Sequence, residues 1–321
     1  MHKNYIILVH NNPDQLVRLV NKLNDKYSSF FIHVDKTSDI SVFISKFSTY
    51  SNVKFITKRE IGTWGGIGIV KATLNAIGEI LENSENDGHL ILLSGQDYPL
   101  KNNEYINHFF STNKEFDFID ISPIKEVFPK EWKKRVLFYK YDFSNKKGNY
   151  ILVPPLFSKE ILDLNSIKII VKIFLNLKNF TFYKAFFKNL TKKRAIPKNL
   201  TLMAGGQWWS ISTVTAKKIY EFSRQNNELL EYFEYSILPD EVYFQTVINH
   251  LKRSDVSIKT KSMVTYVNWE RKDCMLPVTF VSSDFEELTS QDETKLFARK
   301  FDFKLDNEIF NLIDKLHNEN N

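Results

Sequence analysis

The chain predicts an α/β protein: a central, mostly parallel sheet flanked by helices. Two observations predict it. Apolar runs of strand length, Tyr5-Ile6-Ile7-Leu8-Val9, Phe30-Phe31-Ile32-His33-Val34 and His89-Leu90-Ile91-Leu92-Leu93, alternate with segments of helical spacing. The runs are near-continuous and do not alternate with polar residues, as expected of strands covered on both faces.

Taken in order, the first run is followed by Asn12-Pro13-Asp14: an N-cap, a proline at the first helical position and an acid in the first turn. Leu16, Leu19, Val20 and Leu23 then recur at helical spacing. The second run closes in Asp35. A short helix over residues 41–47 and a strand over 53–56 come next, and the turn Gly62-Thr63-Trp64-Gly65-Gly66 leads into a helix carrying Ile69, Ala72, Thr73, Ala76 and Ile80. The third run closes in Ser94-Gly95-Gln96-Asp97. The second half is less regular, with helices expected near 213–224 and 239–251. Ligands of open α/β sheets bind beyond the carboxyl ends of the strands, so His10, Asp35 and residues 94–97 are expected along one edge.

Composition narrows the class. With 27 Phe, 14 Tyr and 5 Trp among 321 residues, disorder is excluded. The single cysteine, Cys274, allows neither an internal disulfide nor a thiolate metal cluster. The opening apolar run is too short for a secretory segment, and nothing reaches the ~20 apolar residues of a membrane span. A cytoplasmic chain is the expectation. The net charge of +6 is unevenly placed: residues 164–220 hold no Asp or Glu but carry Lys168, Lys172, Lys178, Lys184, Lys188, Lys192, Lys193, Arg194, Lys198, Lys217 and Lys218. Lysines among large apolar groups suit an anionic membrane surface, so peripheral membrane contact through 164–200 is expected. The other reading is a partly buried helical insertion whose lysines snorkel to solvent, since Lys168, Lys178 and Lys184 project in different directions at 100° per residue. No helix-turn-helix, zinc or RNP pattern supports nucleic-acid binding.

Several motifs carry chemistry, each beside a plainer reading. The glycines from Gly62 to Gly68 lack the G-x-G-x-x-G spacing of a dinucleotide site. His33 and Asp35 share a strand face without a third metal ligand. Asp97 either caps its own turn or holds a donor sugar. Glu241, three before Phe244 and seven before Ile248, points toward the protein body; it is either an ordinary first-turn acid or a general base kept ionised by a helix N-terminus. Gly205-Gly206-Gln207-Trp208-Trp209 is either a core strand or a platform for a sugar ring. Arg299-Lys300, between Phe297 and Phe301, is either solvated surface or a diphosphate site.

Together these pieces resemble the core-2/I-branching β-1,6-N-acetylglucosaminyltransferase family (glycosyltransferase family 14), which includes the peptide O-xylosyltransferases. The matching segments are residues 5–10, 33–36, 63–66, 93–100, 205–209, 239–241 with 244–246, and 297–302, in family order and across nearly the whole chain. The resemblance implies a single GT-A-type nucleotide-sugar domain over 1–321. Residues 1–122 form its nucleotide-binding half and 123–321 its acceptor and catalytic half, with a basic apolar insertion over 158–200. It also implies inverting transfer from a UDP-sugar, most readily UDP-GlcNAc, with no metal or other cofactor. Glu241 would deprotonate the acceptor, while Lys300 and, in the xylosyltransferase branch, Arg299 balance the leaving diphosphate. His10, Val34, Asp35, Trp64, Gly95 and Asp97 fall in donor segments; Gly206, Gln207, Trp208 and Trp209 fall on the acceptor side. Leu238 replaces a serine cap common in animal branching enzymes, and Gln207 lies near an aspartate of the xylosyltransferases. The family's Golgi members are disulfide-rich and anchored, so one cysteine points to a bacterial-type member acting on surface polysaccharide or a lipid-linked glycan. The alternatives are transfer from UDP-xylose, or a non-catalytic glycan- or membrane-binding protein on the same fold.

Overall fold

The computed structural model describes residues 1–83, 87–144, 148–155, 158–162, 168, 186, 187, 189 and 194–319. Most of the expected basic insertion and its membrane contact therefore lie outside the described residues. In chain order the strands are β1 (His2–Val9), β2 (Ser28–Val34), β3 (Val53–Phe55), β4 (Gly88–Ser94), β5 (Asp97–Pro99), β6 (Phe116–Phe118), β7 (Ser122–Pro123), β8 (Tyr139–Asp142), β9 (Tyr150–Val153), β10 (Met203–Ala204), β11 (Ser210–Ser212), β12 (Lys259–Lys261), β13 (Thr265–Val267) and β14 (Phe297–Arg299).

The central sheet runs β12-β6-β11-β4-β1-β2-β3. β4, β1, β2 and β3 are parallel neighbours, β11 is antiparallel to β4 and β6, and β12 is parallel to β6. The α/β class and the mostly parallel sheet are as the sequence predicts, in keeping with the GT-A-type fold that the resemblance implied. Register sets the working edge: Leu8 lies beside both His33 and Ser94. The residues that follow β1, β2 and β4 therefore emerge together, which brings His10, Asp35 and Gly95 to one side.

Alternation along the strands divides the core into two layers. Tyr5, Ile7, Phe30, Ile32, Ile91 and Leu93 face Leu16, Leu19 and Leu23 of the Pro13–Leu23 helix. Ile6, Phe31, Leu90 and Leu92 face Val70, Leu74 and Ile77 of the Gly68–Asn83 helix, and Phe244 from the second half. Asn12 departs from expectation. Its backbone is left-handed (φ 53°, ψ 61°) and its side chain makes no capping bond, so it acts as a turn residue, a conformation asparagine tolerates well.

A smaller sheet, β13-β14-β5, packs beside the working edge. Arg194, at the end of the basic stretch, is buried. Its guanidinium donates to the carbonyls of Phe138 and Tyr232 and to Ser236 Oγ, between the rings of Tyr139 and Tyr232 at 5.1 and 4.8 Å. This cation serves the interior, because Phe138, just after the Trp132–Val136 helix, and Tyr232, in the last turn of the Asn227–Phe233 helix, carry carbonyls that need donors. Among the described residues no helix is long and apolar enough to cross a membrane. Replacing Arg194 with Gln is expected to lower the unfolding free energy by about 3 kcal/mol in urea at neutral pH, since buried carbonyls lose a charged donor. A change within ~0.5 kcal/mol, the range of ordinary surface substitutions, would refute that interior role.

Candidate active site

The site begins with a pairing fixed by sheet register. β14 is antiparallel to β5 and sets Arg299 directly opposite Asp97. Asp97 is 0% exposed. Arg299 Nη1 donates to Asp97 Oδ1 at 3.0 Å and to Ser94 Oγ, while the Ser94 N–H donates to Asp97 Oδ2 at 2.5 Å. The guanidinium also lies 4.4 Å over the Trp208 ring. Burial pushes the Asp97 carboxyl upward, and the adjacent Arg299 opposes that push. Asp97 thus closes its own turn and anchors the guanidinium, which ring and carboxylate together hold in place. Lys300 is half-buried, with its backbone bonded to Val278 and Phe280.

The turn carrying Glu241 forms differently from the sequence expectation. Leu238 is left-handed (φ 51°) and makes no side-chain cap, Pro239–Glu241 is a single 3₁₀ turn, and the α-helix Tyr243–Lys252 starts only afterwards. Glu241 is therefore not kept ionised by a helix N-terminus. Burial instead raises its carboxyl above the usual range, and Arg135 works against this with Nη1 at 2.5 Å from Oε2. Asp240, beside it, is 4% exposed, and Oδ1 has no partner among the described residues. Burial and the neighbouring Glu241 push Asp240 up to about 7, while Arg135 and Arg299 pull it down. The carboxylate pair therefore lies within the fields of two guanidinium groups from distant parts of the chain.

Three motifs converge on this turn. The Gly205 N–H bonds the Glu241 carbonyl at 3.0 Å, and the Leu238 N–H bonds the Gly65 carbonyl at 2.9 Å. Gln245 Nε2 bonds the Gly206 carbonyl at 2.8 Å. A Cβ on Gly205 would fall 1.9 Å from the Asp120 carbonyl oxygen, and Gly65 has φ +64°, so both positions require glycine. Trp64 stacks on Tyr150 at 5.8 Å.

On the donor side, Asp35 Oδ1 accepts from the Thr37 N–H at 2.8 Å and Thr37 Oγ1 at 2.5 Å, and Oδ2 accepts from the Gly62 N–H at 2.6 Å. Burial works upward on this carboxyl, but these bonds outweigh it and hold it below its ordinary range. Arg59 donates to the carbonyls of Val34, Asp35 and Ser38. Val34 is buried opposite Val9 at the end of β2. His10 is exposed, with its carbonyl bonded by Ser38 Oγ at 2.7 Å. The Gly95 N–H bonds Leu8, its carbonyl accepts from Gln15, and a Cβ there would sit 2.8 Å from Val9 Cγ1.

On the expected acceptor side, Gly206 and Gln207 are half-buried. Trp209 is 1% exposed and packs on Phe244 at 5.3 Å. Its ring packs toward the Tyr243–Lys252 helix, so it offers no face to a sugar; Trp208, buried as well at 6% exposure, lies under the Arg299 guanidinium. Sequence reading missed Arg135 and Arg59. Trp132-Lys133-Lys134-Arg135 reads as a solvated basic run, and no spacing rule links Arg135 to a carboxylate 106 residues away. Arg59 likewise sits in a polar turn, and its carbonyl contacts arise only once β2 is folded.

A model of the Core-2/I-Branching enzyme family matches residues 4–295. The chain is similar to a xylosyltransferase of Ciona intestinalis, 23% identical over 331 residues, which take in 97% of this chain and 33% of that protein. Against xylosyltransferase 2 of Homo sapiens the identity is 23% over 328 residues, with the same coverage of 97% and 33%. The chain thus spans about a third of the length of these curated relatives. Among solved structures, the apo form of mouse xyloside xylosyltransferase 1 aligns at 10% identity and a TM-score of 0.35, over 92% of this chain and 96% of that one.

The Asp240 environment has a signed consequence for stability. A carboxyl raised in the folded state from its ordinary 3.8 to about 7 contributes stability below its ordinary range that is lost as pH rises through about 7. Asp240→Asn removes that loss. The variant is expected to exceed the wild type at pH 8 by about 2–4 kcal/mol, with the gap closing toward pH 4. Urea unfolding across that range is the check; a pH-independent gap would contradict the assignment.

Proposed function

Because the chain belongs to the Core-2/I-branching enzyme family, we propose that it is an inverting glycosyltransferase that moves a sugar from a UDP-sugar to a glycan hydroxyl without a metal ion. The observation that carries this reading is the turn with Asp240 and Glu241, where Arg135 bonds Glu241 and the charge of Arg299 acts on Asp240. Displacement at an anomeric carbon needs a base on the incoming hydroxyl and positive charge on the departing phosphate. Glu241 takes the hydroxyl proton as the acceptor oxygen bonds to the anomeric carbon. The bond from that carbon to the diphosphate oxygen breaks, and UDP leaves with the electron pair. Arg299, fixed on Asp97 and Trp208, and Lys300 receive the developing charge. Asp97 acts through Arg299, since its own oxygens are occupied by Arg299 and the Ser94 N–H. Asp35 and Arg59 shape the uridine end by fixing the turn after β2.

The donor has two readings. The branching-enzyme resemblance favours UDP-GlcNAc. The names of the curated relatives favour UDP-xylose, as does the adjacent Arg299-Lys300 pair; Gln207, near an aspartate of that branch, favours it less. The acceptor class is a glycan, free or lipid-linked.

Glu241→Gln is expected to lower UDP release and transfer by about 10²–10⁴-fold. Its melting shift with UDP should stay at the wild-type value, as the base does not hold the nucleotide. Undiminished turnover in the variant would remove Glu241 from the base role. Activity is also expected to persist in EDTA, and a strict divalent-ion requirement would overturn the role of Arg299 and Lys300.

A further inference from the structure

Arg135 has a geometry that the family reading leaves unused. It belongs to the short helix Trp132–Val136, whose C-terminal end is pinned where the Tyr232 hydroxyl donates to the Val136 carbonyl at 2.6 Å. The Trp132 N–H bonds the Phe128 carbonyl at 2.9 Å, so Phe128 and Arg135 belong to one folded segment. The guanidinium lies 3.4 Å over the Phe128 ring and only 11% of the side chain is exposed. Its one ion pair among the described residues is with Glu241, through Oε2. Glu241 Oε1 has no bond among the described residues. This repeats the construction at Arg299, where a guanidinium on an aromatic face is bonded to a carboxylate. The difference is that Asp97 is closed off, whereas Glu241 keeps one oxygen for chemistry and is 19% exposed.

We propose that Arg135 is a positioning residue for the base: it grips Oε2 of Glu241 and leaves Oε1 to take the proton of the acceptor hydroxyl. The inference rests on the reading of Glu241 as base. Burial pushes the Glu241 carboxyl upward and the bonded Arg135 opposes that push, so removing the cation favours the protonated form, which cannot act as a base. The charged groups facing this carboxylate are Asp240 from its own turn, Arg135 from the Trp132–Val136 helix and, through Asp240, Arg299 from β14. Of these, Arg135 alone bonds Glu241 directly. Gly65 and Gly205, against the turn, contribute uncharged backbone groups.

The test uses the full chain labelled with [¹³Cδ]glutamate. The Glu241 resonance is identified by its loss in Glu241→Gln and then titrated in the wild type, Arg135→Gln and Arg135→Lys. The midpoint is expected to rise by at least about one pH unit in Arg135→Gln and to stay near wild type in Arg135→Lys. UDP release from UDP-xylose and UDP-GlcNAc should show the acid limb of kcat/KM displaced to higher pH by the same amount, with the melting shift by UDP unchanged. An unmoved midpoint, or a rate loss equal at every pH, overturns the proposal. Full UDP release by Glu241→Gln would instead bring down the base assignment, whatever the titration gives, so the two failures are distinguishable. If Arg135→Gln does not fold, Arg135→Met takes its place: the same rise of the Glu241 midpoint is expected, and an unmoved midpoint overturns the proposal.

Discussion

The site depends on one constraint: carboxylates taken out of water must be answered by fixed cations. Asp97 is 0% exposed, and its carboxyl is pushed upward by burial even with Arg299 bonded to it. Arg299 in turn is fixed by that carboxylate, by Ser94 and by the Trp208 ring. Such a pair gains little for stability, because desolvation consumes most of the attraction. What it provides is position. A guanidinium that cannot wander is already oriented when negative charge develops on a leaving phosphate, and no reorganisation is needed at that moment.

The same constraint explains why the two cations are recruited from so far apart. Glu241 and Asp240 share one tight turn, so neither can be paired by a neighbour in sequence. Arg135 arrives from 106 residues upstream and Arg299 from β14. The turn can accept them because its backbone is seated on glycines. Gly205 passes against the Asp120 carbonyl, and Gly65 supplies a positive φ beneath Leu238. Without that close approach the Glu241 carbonyl would stand unbonded, and the turn would have no fixed relation to the sheet.

What the sequence made legible follows from local physics. Continuous apolar runs placed β1, β2 and β4, and the rule for strand carboxyl ends brought His10, Asp35 and Gly95 to one edge before register was known. Less legible were features that depend on chain reversals. Asn12 has the composition of an N-cap but a left-handed backbone. Proline and two acids after Leu238 read as a helix start, yet the α-helix waits until Tyr243. Trp208 and Trp209 are chemically alike and both are buried; only packing sets one against Phe244 and the other under Arg299. Arg135 and Arg194 were hidden in basic runs because a lysine-rich segment looks solvated until a buried acceptor claims one member of it.

The net charge of +6 suggested a surface property. Three arginines, Arg135, Arg194 and Arg299, instead carry their charge inward, each against aromatic rings. A planar guanidinium can stack on a ring and still direct several N–H groups sideways, which an ammonium cannot do. Where a carbonyl or carboxylate must be met against an aromatic face, arginine therefore fits well. Two lysines are also taken inside, Lys3 on Asp25 and Lys140 on Asp142, while those that pair with Glu115 and Glu160 stay at the surface. At two of these three arginines the demand for charge comes from the carboxylates of the site itself.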